Sequence, residues 1–261
     1  MDLKDKRVVV TGASSGIGWQ LTKRLVKAGA QVIGVSRHPE RVRKIGAVPI
    51  KCDVTDPEQI DKMLEEAEIK LGGIDIFVAN AGFGYYGKLG PANWQKIEKI
   101  FRTNFMAPVY TLQKLTEKER TEPLTYMITV SALGKMVLPG FCLYDATKFA
   151  LDGFVRTYRM EKPKYLTIIP VYPVSSRTNF WYNTTESGEP TPMPIMAQQP
   201  ASVTAWFMEK ALRHGWYAVH PSPVFNVRNL LVRVLPVDLI PQTVEKIRFK
   251  YWLKKQGDSL D

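Results

Sequence analysis

Residues 7–36 read RVVVTGASSGIGWQLTKRLVKAGAQVIGVS. Arg7 to Thr11 is a short β-branched run, Gly12-Ala13-Ser14-Ser15-Gly16-Ile17-Gly18 a glycine-rich turn, and Trp19 to Lys27 an amphipathic stretch. The order is therefore strand, turn, helix. Gly29 closes the helix as a left-handed cap would, and Gln31 to Ser36 supplies a second strand. In such a unit the first turn brings backbone amides close to a diphosphate, whose charge the helix N-terminus stabilises. The spacing G-x-x-x-G-x-G departs from the usual dinucleotide fingerprint, and a purely structural turn is the competing reading.

Outward from this unit the pattern repeats. Asp56-Pro57-Glu58 offers an N-cap, a first-turn proline and an early acid, which predicts a helix to about Leu71, ended by Gly72-Gly73. Ile74 to Ala79 reads as a buried strand, Asn93 to Leu115 as one long helix, and Thr125 to Val130 as a strand. A helix through Tyr144 to about Met160 comes next, then a strand at Leu166 to Val171, a helix at Ala201 to Arg213 and a last short strand at Trp216 to His220. Strands alternating with helices predict an α/β fold: a Rossmann-type, doubly wound parallel sheet in three α/β/α layers, forming a single domain with a basic amphipathic C-terminal tail. Within residues 1–261 the expected divisions are a cofactor-binding and catalytic core at 6–178, a loop over the substrate at 179–200 and the tail at 221–261.

The chain has 261 residues, 45% hydrophobic and 23% charged, enough for a sizeable core. No run approaches a membrane span, and the charged start leads straight into a strand, so a cytoplasmic protein is expected. Two cysteines, Cys52 and Cys142, imply no disulfide framework. The net charge of +11 suits anionic partners. Nearly half of that excess lies between Pro221 and Gly257, where seven Lys and Arg face Asp238 and Glu245. Without zinc-finger spacing or a base-reading helix, nucleic acid is not the expected partner.

Tyr144 and Lys148 are four apart on a predicted helix and so share a face. An ammonium beside a phenol favours the phenolate, giving a proton donor with its own activator. Ser131 ends a strand, and in an open parallel sheet ligands bind beyond the carboxyl ends of the strands. Ser36-Arg37 ends the second strand, where a carboxylate would select NAD and a serine with an arginine can bind a 2′-phosphate. NADP(H) is the expected cofactor, a solvated surface arginine the alternative.

Taken together, these motifs resemble the classical short-chain dehydrogenase/reductases, from about Lys6 to Thr178. Thr11 to Gly18 matches the cofactor turn, Asn80-Ala81-Gly82 the central-strand motif, Asn104 the helix asparagine, Ser131 the catalytic serine, and Tyr144 with Lys148 the Y-x-x-x-K. The resemblance implies that Ser131 positions a carbonyl and Tyr144 exchanges the proton. Lys148 would lower the tyrosine pKa and hold the nicotinamide ribose, and Asn104 would hold a water linking Lys148 to solvent. It places Gly12, Ser14, Ser15, Gly16, Ile17, Gly18, Ser36, Arg37, Asp53, Val54, Asn80, Ala81, Gly82, Tyr144, Lys148, Pro173, Val174 and Thr178 around the cofactor, with no metal. Asp53 reads equally as a turn residue. Two departures are Ala79 in place of the first asparagine and Val174 in place of a glycine.

Arg177 to Pro200 holds four prolines and large apolar residues, and reads as a long loop over the site. Phe180, Trp181, Tyr182, Met193, Ile195 and Met196, with Phe83, Tyr85, Tyr86, Met136, Leu138 and Phe141 opposite, would close over an apolar ketone, aldehyde or alcohol. The tail alternates apolar and basic residues as a surface helix pair does. It could lie on an anionic membrane, on a neighbouring subunit of a homodimer or homotetramer, or on its own domain. A membrane-associated carbonyl reductase of lipid or sterol type is one alternative, and a non-catalytic dinucleotide-binding regulator is the rival from another class.

Overall fold

The computed structural model describes residues 1–117, 120–177, 180, 199–223, 225, 227 and 239–255. Six parallel strands form one sheet in the order β3-β2-β1-β4-β5-β6: β1 Arg7–Thr11, β2 Gln31–Ser36, β3 Val48–Lys51, β4 Ile76–Ala79, β5 Leu124–Thr129 and β6 Leu166–Val171. The chain runs outward from β1 to β3, then crosses back to place β4 on the other side of β1. That reversal opens a crevice at the carboxyl ends of β1 and β4, where open α/β sheets bind ligands.

Each strand is a short apolar run because both sheet faces are covered. In β4, Phe77 and Ala79 enter one core with Ile33, Ile60, Leu112 and Tyr126, while Ile76 and Val78 enter the other with Leu21, Leu25, Met127 and Leu212. The helices α1 Gly16–Lys27 and α6 Ala201–His214 cover the second face; α2 Pro57–Leu71, α4 Ala107–Glu117 and α5 Cys142–Glu161 cover the first. Asp56 caps α2, its Oδ1 accepting from the amides of Glu58 and Gln59 at 3.0 and 3.3 Å, as its sequence signature demands.

Four expectations change. The long helix is α3 Trp94–Phe101 joined to α4 by a π-helical turn at Arg102–Met106, and it runs on to Glu117. Trp216 to His220 is no strand but one bridge, Val219 to Val171, at the sheet edge. The roots of the long loop pair as β7 Ser176–Arg177 with β8 Gln199–Pro200, tying its two ends together. The last helix, α7 Leu239–Lys255, packs Phe249 and Leu253 into the protein's own core, so the tail is not wholly a surface element. Thr178, Trp181, Tyr182, Met193, Ile195, Met196 and the first half of the expected tail helix pair lie outside the described residues.

Candidate active site

The glycine turn is built for close approach. Gly12 has φ +67°, and a Cβ on Gly18 would lie 2.3 Å from the Gly12 carbonyl oxygen, so a side chain there would push the turn off the helix. The α1 N-terminus has no acid in its first turn and no side-chain cap from Ser15, which leaves its amides facing the crevice.

Beside the turn, Thr11 fastens the strand ends. Its hydroxyl accepts from the amides of Asn80 and Ala81 at 3.0 and 3.1 Å, and Asn80 Nδ2 donates to the Thr11 carbonyl at 3.1 Å. Asn80 therefore holds β1 against β4. A cleft of about 760 Å³ opens here, a size typical of small-molecule sites. Of the catalytic and cofactor-binding residues expected from the sequence, all those described line it except Gly18 and Asn104, which are buried behind it; Thr178 lies outside the described residues. At one end stand Ser36 and Arg37; Ser36 Oγ also accepts the His38 amide at 3.2 Å. Asp53 uses Oδ1 to accept from the Thr55 amide and hydroxyl at 3.0 and 2.8 Å, so its turn role is real while it also lines the cleft.

At the other end lie Ser131, Tyr144 and Lys148, all buried. Ser131 adopts φ 147° and ψ 156°, a conformation that glycine alone adopts readily and that costs another residue about 1–3 kcal/mol. Its Oγ accepts the Leu133 amide at 3.1 Å, and a hydrogen bond between Ser131 and Tyr144 favours the phenolate. Burial works more strongly the other way and holds the Tyr144 pKa well above the ordinary tyrosine range. Lys148 Nζ lies 5.6 Å from the Tyr144 ring centroid and donates to the Thr129 carbonyl at 3.0 Å. Burial pushes its pKa down to about 7. The pairing of motif residues is as the spacing required, but desolvation, more than their mutual attraction, sets both protonation states.

Asn104 sits in the π turn, a feature frequent at functional sites. Its Nδ2 donates to the Phe83 carbonyl at 2.8 Å and to Thr147 Oγ1 at 3.1 Å, and its Oδ1 accepts the Phe83 amide at 3.0 Å. The side chain thus joins the loop after β4 to α5, with both of its polar groups engaged by protein.

Of the apolar loop residues, Phe83, Tyr85, Met136, Leu138 and Phe180 line the cleft, with Phe180 edge-on to Tyr144 at 5.7 Å. Tyr86 and Phe141 instead pack against each other, their ring centroids 4.9 Å apart. Sequence reading missed Gln95, Glu98, Lys99, Arg102 and Thr103, which also line the cleft. Their spacing of three and four marks one helical stripe, a signal visible once that face is known to meet the sheet edge.

A family described as short chain dehydrogenase matches residues 6–188. A fatty acyl-CoA reductase of Mycobacterium tuberculosis is 31% identical over 174 residues, which are 62% of this chain and 59% of that protein's length. A short chain dehydrogenase from Burkholderia cenocepacia, solved in complex with NADP, is 26% identical with a TM-score of 0.72, over 84% of this chain and 96% of the other. One from Burkholderia phymatum, solved with NAD, shares the fold at a TM-score of 0.77 and 18% identity, over 93% and 96% of the two chains. With its parallel sheet, glycine turn and Y-x-x-x-K helix on one crevice, the chain belongs to the classical short-chain dehydrogenase/reductase family of oxidoreductases.

Proposed function

We propose that the protein is an NADP(H)-dependent oxidoreductase interconverting a ketone or aldehyde and its alcohol on an apolar substrate. The observation that carries this reading is the meeting of Ser131, Tyr144 and Lys148 at one end of a cleft whose other end holds the glycine turn and Ser36-Arg37. The residues fit the cofactor: the α1 amides suit a diphosphate, Arg37 a 2′-phosphate, Lys148 a ribose, and Thr178 the carboxamide. When bound, nicotinamide supplies or accepts the hydride.

The protein's own part is proton handling and positioning. In the reducing direction Ser131 hydrogen-bonds the carbonyl oxygen, and Tyr144 gives its proton to that oxygen as the carbon gains the hydride. A buried phenol stays protonated until that moment, and the Ser131 bond steadies the phenolate it becomes. Lys148 then returns a proton to Tyr144. The apolar lining of Phe83, Tyr85, Met136 and Leu138 and the name of the mycobacterial relative both favour a long apolar substrate. In this reading the active form is a homodimer or homotetramer in the cytoplasm.

The test is a screen of NADPH oxidation across ketones, aldehydes, quinones and acyl thioesters. Turnover of apolar members that Tyr144→Phe abolishes is the expected result. NADPH binding without turnover of any carbonyl or alcohol would instead favour the non-catalytic regulator.

A further inference from the structure

Helix α7 is docked by one face only. Phe249 and Leu253 are buried, Trp252 half-buried, and the rings of Phe249 and Trp252 meet Tyr86 edge-on at 5.6 and 5.0 Å. At about 100° per residue, Val244, Ile247 and Tyr251 form a second stripe roughly half a turn away. They are 37%, 62% and 64% exposed. Between the stripes run the cations: Lys246, Lys250 and Lys254 on one flank, Arg248 and Lys255 on the other, the lysines all exposed. Lys255 Nζ lies 5.1 Å from the Tyr251 ring centroid. The helix rests on two loops, through Gly87 against Trp252 and Gly140 against Phe249. Those loops present Leu89 and Val137, 54% and 47% exposed, while Tyr85, Met136 and Leu138 beside them line the catalytic cleft.

We propose that this face of α7 lies on an anionic phospholipid surface, which holds the mouth of the cleft against the bilayer. Five cations against the single acid Glu245 along Leu239–Lys255 complement anionic headgroups. The exposed apolar stripe suits an interfacial helix, with lysine stems able to reach past it to the phosphates. No described helix is long and apolar enough to cross a membrane, so the contact is peripheral. A second copy fits less well, because a two-fold contact would set this basic stripe against itself. Delivery of substrate from the bilayer rests on the apolar-substrate reading; the docking itself does not.

The experiment is co-sedimentation of the full chain with phosphatidylcholine vesicles, with and without phosphatidylserine, at low and physiological salt. Binding should require phosphatidylserine, weaken with salt, and fall at least about tenfold in Ile247→Asp with Tyr251→Asp. Equal behaviour with both vesicle types, or unchanged binding in that variant, overturns the proposal. So does a change in oligomeric state by the variant without any vesicle binding, which assigns the face to a second copy. Lys250→Ser with Lys254→Ser, on the exposed flank, supplies the same test if the first variant unfolds: weaker binding supports the proposal and unchanged binding overturns it. Vesicle binding by a protein that turns over no carbonyl would leave the docking standing and remove the proposed activity.

Discussion

Tyr144 Oη, Ser131 Oγ and Lys148 Nζ carry opposing demands in one buried space. In the proposed reaction the phenol holds its proton until a carbonyl oxygen needs it, and then exists briefly as an anion. Removing that hydroxyl in Tyr144→Phe should lower turnover by ~10²–10⁴ while leaving NADPH affinity nearly unchanged, because general acid catalysis is lost and a cofactor contact is not. Fluorescence titration beside steady-state kinetics checks both halves. Unchanged turnover would remove Tyr144 from the chemistry. Lys148→Met should lower turnover and cofactor affinity together, since in the proposed reaction one amine serves the ribose and the phenol. At the far end, Arg37 is asked to recognise a 2′-phosphate, and a hydrogen bond to a charged group contributes roughly 1.5–3 kcal/mol, or ~10–150-fold in affinity. Ser36→Asp with Arg37→Ile introduces repulsion as well as removing attraction, which is how specificity changes most. That variant should prefer NADH. A wild type that already binds NADH as tightly as NADPH would reduce Arg37 to a surface charge.

The elements differ in how far local sequence could announce them. β1, the glycine turn and α1 were legible because hydrophobic period and glycine spacing are local properties, and Asp56-Pro57-Glu58 marked a helix start by side-chain chemistry alone. The π turn at Arg102–Met106 was not legible, since Asn104 draws its partners from Phe83 and Thr147, far away in sequence. The motif residues at the site were legible by type and spacing, whereas the protonation balance at Tyr144 and Lys148 depends on burial that only packing creates. The tail held two apolar stripes, and nothing local said which would dock. Gly140 is the hinge of that choice: it has φ +87°, and a Cβ there would lie 2.5 Å from the Tyr86 ring and 3.0 Å from the Phe249 ring. Gly140→Ala should therefore cost about 1–2 kcal/mol in backbone strain alone and loosen α7, seen as a lower Tm and faster proteolysis within 239–255. Gly153→Ala is the control. Beyond its own stretch of the α5 backbone, nothing among the described residues lies within 4 Å of its Cβ position, so alanine there should be neutral or stabilise by up to about 1 kcal/mol. Equal effects of the two substitutions would show that the Gly140 contact does not hold α7.

Across the whole molecule, two buried titratable groups, Lys148 in the site and Asp145 beside it, make stability depend on pH in opposite directions. Asp145 follows Tyr144 in sequence; its Oδ2 accepts the Leu138 amide at 3.0 Å, holding the cleft-lining loop to α5, while its Oδ1 is buried without a partner among the described residues. Burial raises its pKa from 3.8 to about 8. Between those values the folded protein keeps a proton that the unfolded chain has released, so stability falls as pH rises through this window. Lys148 is the reverse case: its pKa is lowered from 10.5 to about 7, the unfolded chain holds more protons above pH 7, and stability rises from there toward 10.5. The two slopes meet near neutrality, where both groups weaken the fold most. Each pH unit within a window changes stability by up to about 1.4 kcal/mol per group. Asp145→Asn keeps an acceptor for the Leu138 amide but cannot ionise, so it should be more stable than wild type at pH 8 and lose that advantage as pH falls toward 4. Lys148→Met should likewise be the more stable form at pH 7 and lose its advantage as pH climbs past 10. Urea unfolding of the three proteins at pH 5, 7.5 and 9 measures the differences directly, and other titrating groups cancel between wild type and variant. An Asp145→Asn curve parallel to wild type across pH 5 to 7.5 would mean that Asp145 is ionised in the folded protein, and that the loop is held by a carboxylate instead of a neutral acid.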